Sequence, residues 1–289
     1  MIGGLLQSIA DLLKALLIDG IMGNLSTMFD SVNQEVGVIA AEVGKTPAGF
    51  NPGVFSLIRG ISESVILPIA GIILTFVCCW ELIQMLIEHN NMANFDIGLI
   101  FKWIFKTFIA VTLVSNTFNI TMAVFDLAHN VIASAGGIIQ GSTAIPAADL
   151  VALRESLEAM ELGPLIGLFF EMFIVNITMG ILTICIFIVI YGRMIEIYLM
   201  TSLAPIPFAT FGNREQSQIG QNYLRSLFAL GFQGFLILVC VAIYAVLVQN
   251  VAVTTDIFGS ILAILGYTVL LCFTLFKTGS LSKTVFSAH

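Results

Sequence analysis

The sequence predicts an all-α, polytopic membrane protein with about five transmembrane helices. Of its 289 residues, 58% are hydrophobic and 10% are charged, and the mean hydropathy is +1.03. Globular domains carry roughly 25% charged residues, so a soluble protein of this composition would precipitate. Residues 65–80, 226–248 and 257–276 contain no charged side chain. The last two runs reach the about 20 residues that a helix needs to cross a hydrocarbon core of about 30 Å.

The first 64 residues are predicted to lie outside the cytoplasm as an amphipathic helix followed by a loop. Apolar side chains recur at helical spacing, opposite a polar side that includes Asp11 and Lys14. They are Leu5, Leu6, Ile9, Leu12, Leu13, Leu16 and Leu17. The charges within this helix argue against a span, and the segment lacks the basic n-region and small-residue cleavage site of a signal peptide. We expect it on the outer leaflet or against partner subunits. Residues 30–52 are polar and contain glycines, which predicts a loop.

Five runs are long and apolar enough to be spans. They are residues 65–87, 103–124, 165–191, 226–248 and 257–276. The chain is also almost uninterruptedly apolar from residue 164 to residue 211 and could hold a sixth span there. Arg214, Arg225 and the lysines of the tail all fall on the predicted cytoplasmic side, and a sixth crossing would end that agreement. A long tilted helix or a re-entrant segment fits better.

The distribution of basic residues predicts that the N-terminus lies outside and the C-terminus in the cytoplasm. Seven belong to the link before the second span, to the connector at 192–225 and to the tail: Lys102, Lys106, Arg193, Arg214, Arg225, Lys277 and Lys283. Only four belong to the alternate segments: Lys14, Lys45, Arg59 and Arg154. Positive residues collect on the cytoplasmic side of a membrane, so we expect a multi-pass protein of the cytoplasmic membrane.

This topology divides the chain into five parts. Residues 1–64 are extracytoplasmic, 65–124 hold the first two spans, and 125–164 form an outer segment. Residues 165–276 hold the last three spans with the cytoplasmic connector at 192–225, and 277–289 form a cytoplasmic tail. In the outer segment, glycines predict a flexible link at 136–143, and the pattern from Leu150 to Leu162 predicts a second amphipathic helix.

Several functional classes gain no support. The five cysteines lie inside apolar runs, where they pack as small side chains, so we expect no disulfide framework. The three histidines lie far apart without a Cys or carboxylate at metal spacing, so we expect no metal and no cofactor. The tripeptide at 44–46, Gly-Lys-Thr, resembles the end of a phosphate-binding loop, but Ile39 occupies the position of that loop's first glycine. We interpret the tripeptide as an ordinary turn and the protein as not an enzyme.

Four charged residues in or near the spans are candidates for function, because charge is costly inside a membrane. They are Glu81, Glu171, Arg193 and Glu196. Both Glu81 and Glu171 lie toward the ends of their spans, so solvation at the interface is the alternative interpretation. Arg193 and Glu196 are three residues apart and could pair on one helix face.

The second predicted span carries a polar face. We define this polar face as Thr112, Ser115, Asn116 and Asn119. Such a stripe either lines a water-filled conduit or hydrogen-bonds to neighbouring helices, and the sequence leaves both open.

Two prolines interrupt the long apolar region. Residues 203–211 read Leu-Ala-Pro-Ile-Pro-Phe-Ala-Thr-Phe, and Pro205 and Pro207 remove backbone donors and bias the preceding residues away from helix. The helix is therefore predicted to break here. Pro205, Pro207 and Arg214 are candidates for a hinge or re-entrant element that contacts a partner, with a plain connector as the alternative.

From the proline segment through Asn213 and Arg214 to the span that starts at Ser226, the chain resembles the TrbL-like polytopic inner-membrane subunits of conjugative type IV secretion systems. The resemblance covers most of the chain and is nearest to versions on conjugative elements of Gram-positive bacteria. It includes the amphipathic N-terminus, the five spans, the large outer loop and the proline segment. These are shared patterns rather than invariant residues, so no catalytic position is implied.

The resemblance implies a homo-oligomeric channel or scaffold subunit for conjugative DNA transfer. Its implied partners are the lipid bilayer, the energising ATPases of type IV secretion and other mating-pair membrane proteins, with transient contact to the translocating DNA and its relaxase. Two alternatives stay open. A small-solute or ion transporter would use the four charged candidates, and a non-conducting assembly factor would only recruit other subunits.

Overall fold

The computed structural model describes residues 2–88, 97–140, 154–252 and 257–288. Within them no strand occurs, which confirms the all-α class. The elements are α1 (Ile2–Val43), α2 (Pro47–Phe50), α3 (Pro52–Ile61), a π-helical turn (Ser62–Ile66), α4 (Leu67–Glu88), α5 (Ile97–Ser115), α6 (Thr117–Gln140), α7 (Leu162–Leu203), α8 (Pro205–Ala209), a 3₁₀ turn (Thr210–Gly212), α9 (Ser217–Ala252) and α10 (Ile257–Val285). A further helical segment covers residues 154–158.

Six stretches of the described chain are long and apolar enough to cross a membrane, against five predicted spans. They are Pro52–Ile87, Ile97–Ser115, Thr117–Ile139, Leu162–Leu203, Ser217–Val251 and Phe258–Val285. Four predicted spans each lie within one long helical stretch. The difference arises at the predicted span 103–124, which the structure divides between α5 and α6. The chain is a multi-pass membrane protein.

The division between α5 and α6 is the single residue Asn116. Its N–H donates to the Thr112 carbonyl at 3.2 Å, and the Ile120 N–H donates to the Asn116 carbonyl at 3.0 Å. Both bonds have the i to i−4 spacing of an α-helix. The Thr117 hydroxyl lies 2.8 Å from the Val114 carbonyl, a back-bond of the kind that bends helices. Because helical bonds cross the break, α5 and α6 form one interrupted helix rather than a hairpin.

The apolar region after residue 164 forms one long helix, which confirms that alternative to a sixth span. α7 has 42 residues. At 1.5 Å per residue it is about 63 Å long, roughly twice a hydrocarbon core. It continues to Leu203, so residues 192–203 of the predicted connector are helical. The non-helical part of that connector is short and follows the prolines.

Three other segments are helical where the sequence predicted loops or a tail. α1 continues to Val43, through most of the loop predicted at 30–52, because Ile39 and Val43 are four residues apart and both are buried. α6 continues to Gln140, so the link predicted at 136–143 is helical as far as the described chain extends. α10 continues to Val285, so most of the predicted tail 277–289 belongs to the last helix.

The two predicted amphipathic helices differ in how they bury their apolar sides. In α1 the predicted stripe is largely exposed, with Leu12 at 68% and Leu16 at 67%, whereas Ile21 further along is fully buried. Residues 150–153 of the second helix lie outside the described residues. In the segment 154–158, Leu157 is fully buried while Arg154, Glu155 and Glu158 are exposed.

The turn between α1 and α3 is fixed by two side-chain caps. The Thr46 hydroxyl accepts from the Gly49 N–H at 3.2 Å and begins α2. The side-chain oxygen Oδ1 of Asn51 accepts from the Val54 N–H at 3.1 Å and begins α3. Proline follows each cap, where its missing N–H costs no helical bond. The tripeptide 44–46 is thus an ordinary helix-capping turn, as interpreted from the sequence.

The chain forms two compact units. The first contains Met1–Val43, Ile132–Ile190 and Leu236–Thr278. The second contains Gly44–Val131, Tyr191–Phe235 and Gly279–His289. In the second unit α8 packs against α4 and α5. The fully buried side chains of Phe208 and Ala209 belong to one apolar cluster with Leu74, Ala110 and Leu227.

Candidate functional site

The polar face lies on the exterior of the interrupted helix α5–α6. All four of its side chains, Thr112, Ser115, Asn116 and Asn119, are exposed. The Thr112 hydroxyl donates to the Phe108 carbonyl at 2.9 Å, and the Asn116 side-chain amide donates to the Thr112 carbonyl at 2.9 Å. These local bonds leave the amide oxygens and the remaining donors directed outward, so the face can bind water or another polar surface.

An ion pair that was not predicted from the sequence lies beside this face. Arg59 Nε lies 2.8 Å from Glu63 Oε1, and both side chains are about half exposed. The Arg59 guanidinium lies 5.4 Å from the centre of the Phe118 ring, and Phe118 directly precedes Asn119. The i, i+4 spacing of Arg59 and Glu63 was the available signal. It was overlooked because residues 1–64 were assigned to an extracytoplasmic segment.

The proline segment is a packed element. We define the proline connector as residues 204–216, from the end of α7 to the start of α9. Pro205 is buried, Pro207 is half-buried and Arg214 is exposed. A Cβ atom on Gly212 would lie 3.2 Å from the Val77 side chain, so the connector lies directly against α4. The predicted break is therefore present, and most of its residues are covered by the chain itself.

Polar side chains hold one edge of the proline connector. Lys106 Nζ of α5 donates to Glu81 Oε1 of α4, and the Arg214 N–H donates to Glu81 Oε2 at 3.3 Å. The side-chain amide of Asn213 donates to Gln84 Oε1 at 3.1 Å. The Glu81 carboxylate is only 11% exposed. Glu81 is thus a buried structural partner rather than a carboxylate solvated at the interface.

Arg193 makes a backbone contact in place of the predicted pairing with Glu196. It is 5% exposed, and it donates from Nε to the Leu230 carbonyl at 2.9 Å and from Nη2 to the Gly231 carbonyl at 3.1 Å. Glu196 lies on the exposed side of the same helix. Arg193 therefore fastens α7 to the middle of α9. Glu171 is half-buried and belongs to the first unit, so the four charged candidates are not gathered in one place.

In the first unit, charged side chains join α1 to the outer segment. Lys14 Nζ donates to the Glu158 carbonyl at 2.8 Å, and Arg154 Nη2 lies 3.1 Å from Asp19 Oδ1. These contacts bring together two regions that the basic-residue count assigned to the same side of the membrane. Among the residues that the structure describes, no group of three His, Cys, Asp or Glu side chains is arranged to hold a metal ion.

Comparison with protein families identifies a family for this chain. The model of the TrbL/VirB6 plasmid conjugal transfer like protein family matches residues 32–205, more than half of the chain. The chain belongs to this family. Comparisons with curated proteins and with solved structures gave no significant match. The TrbL/VirB6 match runs from α1 to Pro205, so it includes the polar face and the Arg59–Glu63 pair.

Membership of the TrbL/VirB6 family confirms the resemblance inferred from the sequence. It makes the chain a membrane component of a conjugal transfer, type IV secretion, system. The match does not reach Arg214, α9 or α10.

Proposed function

We propose that this chain is a homo-oligomeric channel or scaffold subunit in the cytoplasmic membrane of a conjugative donor cell. In this proposal it supports the passage of DNA with its relaxase, assembles with the energising ATPases and other mating-pair proteins, and catalyses no reaction. The observation that carries the proposal is the exposed polar face in a chain of the TrbL/VirB6 family.

The surroundings of the polar face support a role at a conduit or a subunit contact. The same helix exposes Phe105 at 66% and Phe108 at 67%, which suits a surface in contact with lipid. Exposed amides and hydroxyls in such a surface cost free energy unless they meet water or a polar partner. The Arg59–Glu63 pair beside them enlarges the polar surface and makes contact with lipid still less favourable.

The contacts within each unit support an orientation with the N-terminus outside. In the second unit Glu81 joins Lys106 to the backbone of Arg214, two residues from segments predicted to be cytoplasmic. In the first unit, Lys14 and Arg154 join the two segments predicted to be external. If the interrupted helix α5–α6 crosses once, the chain crosses five times. Reporter fusions after residue 92 and after residue 145 test the single crossing; activity on the same side of the membrane would contradict it.

The first test of function is the DNA-transfer frequency of a donor with an in-frame deletion of this gene, with and without a complementing copy. Loss of transfer that the complementing copy restores is expected. Unchanged transfer would contradict the proposal and leave a solute or ion transporter as the leading candidate.

A second test removes the polar face while keeping its size and helical character. In the complemented strain, Thr112→Val, Ser115→Ala, Asn116→Leu and Asn119→Leu are combined. The matched control combines Phe105→Leu and Phe108→Leu on the same helix. We expect the first variant to insert normally and to lose transfer, and the control to keep it. Equal transfer by both would remove the polar face from the mechanism.

Labelling distinguishes a conduit from a subunit contact. Single cysteines at the four positions of the polar face are tested in the assembled membrane with a water-soluble thiol reagent. A conduit predicts labelling that slows during transfer. Protection of all four positions would favour a packed contact and a scaffold role without conduction.

A further inference from the structure

The proline connector is held by two different kinds of interaction. Its apolar side is buried, with Phe208 at 1% and Ala209 at 0% exposure, against residues of α4 and α5. Its polar edge is held by the Glu81–Lys106 ion pair, the Arg214 N–H bond to Glu81 and the Asn213–Gln84 bond. We call these three polar interactions the polar latch.

The polar latch joins three separate parts of the second unit. Glu81 and Gln84 lie one turn apart on α4, Lys106 lies on α5, and Asn213 and Arg214 end the connector. Asn213 is fully buried, and its side-chain oxygen also accepts from the Glu215 N–H at 2.8 Å. The side chain of Asn213 therefore both shapes the start of α9 and attaches it to α4.

An ion pair in this position is poorly explained by stability alone. Desolvation of two charges offsets most of their attraction, and apolar substitutes of similar volume are often as stable. Such a pair instead specifies one arrangement of the helices, and either of its charged groups can exchange its partner for another charged group. The Lys106 side chain is 37% exposed, so a competing anionic group can reach it from outside.

The connector is also built to move together with α9. Pro205 and Pro207 lack backbone donors, so the helical ladder of α7 does not continue through the connector. On the other side, the Gly220 N–H of α9 donates to the Thr210 hydroxyl at 3.2 Å. A displacement of the connector can therefore reach the start of α9 through this bond.

We infer that the polar latch is releasable, and that its opening frees the proline connector and the start of α9 from α4 and α5 during transfer. The opening of the polar latch concerns the second unit alone. Its opening during transfer rests on the proposed function. The two are tested by different measurements, so that either can fail alone.

The first measurement needs no transfer activity. In a background without native cysteines, Ala209→Cys reports whether the connector is covered, since Ala209 is fully buried. We expect slow thiol labelling in membranes. Glu81→Ala and Lys106→Met are each expected to raise the labelling rate about tenfold or more, the change that 1.4 kcal/mol produces. The control is Glu63→Ala, which breaks the exposed pair with Arg59 instead.

Charge exchange separates release from misfolding. The double variant Glu81→Lys with Lys106→Glu restores the ion pair but not the acceptor for the Arg214 N–H, so it is expected to bring labelling of Ala209→Cys part of the way back toward the slow rate. An unchanged labelling rate of Ala209→Cys in Glu81→Ala would overturn the inference. So would an exchanged pair that labels as fast as Glu81→Ala while Glu63→Ala labels slowly.

The second measurement asks whether the polar latch must open. Gln84→Cys with Asn213→Cys places two thiols where the side chains now share a hydrogen bond of 3.1 Å. In a donor strain, oxidation is expected to abolish transfer by the double variant and reduction to restore it, while each single variant is unaffected by oxidation. Full cross-linking with unchanged transfer would overturn the required opening. A deletion strain with normal transfer would instead refute the proposed function and leave the labelling result standing.

Discussion

Replacing Gly220 with alanine should destabilise the second unit through a clash with the proline connector. A Cβ atom at this position would lie 2.8 Å from the Pro207 carbonyl oxygen and 2.8 Å from two carbons of the Phe211 ring. Carbon atoms of real Cβ groups essentially never approach below 3.0 Å. Because the Pro207 oxygen belongs to the backbone, rotation of a side chain cannot relieve the contact. Gly71 on α4 has nothing within 4 Å of its Cβ position and is the matched control.

The size of the effect follows from the difference between the two variants. Either substitution gains about 0.8–1 kcal/mol of helix propensity, because glycine is the poorer helix former. That gain cancels in the comparison. What remains is the overpacking cost at Gly220, about 1–3 kcal/mol. Gly71→Ala is expected to be neutral or slightly stabilising, and Gly220→Ala to be less stable than it by this amount.

Intrinsic fluorescence measures this difference in the correct part of the molecule. Both tryptophans, Trp80 and Trp103, belong to the second unit. Heat unfolding of the purified protein in detergent should give a lower Tm for Gly220→Ala than for Gly71→Ala, by about 2–4 °C per kcal/mol for domains of this size. Equal transitions would show that the connector can shift freely and would refute the close packing described for it.

Three further tests concern other contacts. The first two use the same unfolding measurement, whereas the third concerns the first unit, which holds neither tryptophan, and follows heat unfolding by circular dichroism. Arg193→Lys should lower the free energy of unfolding by about 1–3 kcal/mol, because an ammonium cannot reproduce the planar guanidinium that reaches two carbonyls. The control, Arg225→Lys at an exposed position, should leave it unchanged. Equal effects would contradict a stabilising contact between Arg193 and these carbonyls. Asn51→Ala should cost about 1 kcal/mol by removing the cap of α3, and no change would exclude a stabilising cap. A double-mutant cycle of Tyr244→Phe and Thr268→Val should give a coupling of about 0.5–1.5 kcal/mol for their 2.9 Å hydrogen bond, and additive effects would argue against it.

Local sequence signals predicted the helical class and the position of the proline break. Long uncharged runs have one stable form in a membrane, and proline acts on its own neighbours, so both could be predicted without knowledge of distant contacts. The start of α3 also depends on local residues, since Asn51 and Pro52 form its cap. The break at Asn116 could not be predicted in this way, because a polar stripe has the same periodicity whether its helix is continuous or interrupted.

Contacts between distant residues explain what the sequence did not predict. Glu81 was considered as a carboxylate at the interface, yet its partner Lys106 lies 25 residues away on another helix. Arg193 has Glu196 within reach along its own helix, and it nevertheless contacts backbone carbonyls of α9. Such pairings depend on how helices pack, which helical periodicity leaves undetermined.

The exposure of the polar face limits how a conduit could be built. A conduit enclosed by one copy of the chain would require Thr112, Ser115, Asn116 and Asn119 to be covered, but all four are exposed in the single chain. Contact with lipid is unfavourable for amides and hydroxyls, so other chains or water must meet this face in the membrane. If the face lines a conduit, the conduit wall therefore needs further copies or partner subunits. If it is a subunit contact, the same copies or partners cover it. Either role requires assembly, which is why labelling of the assembled membrane, and not of the isolated chain, distinguishes the two.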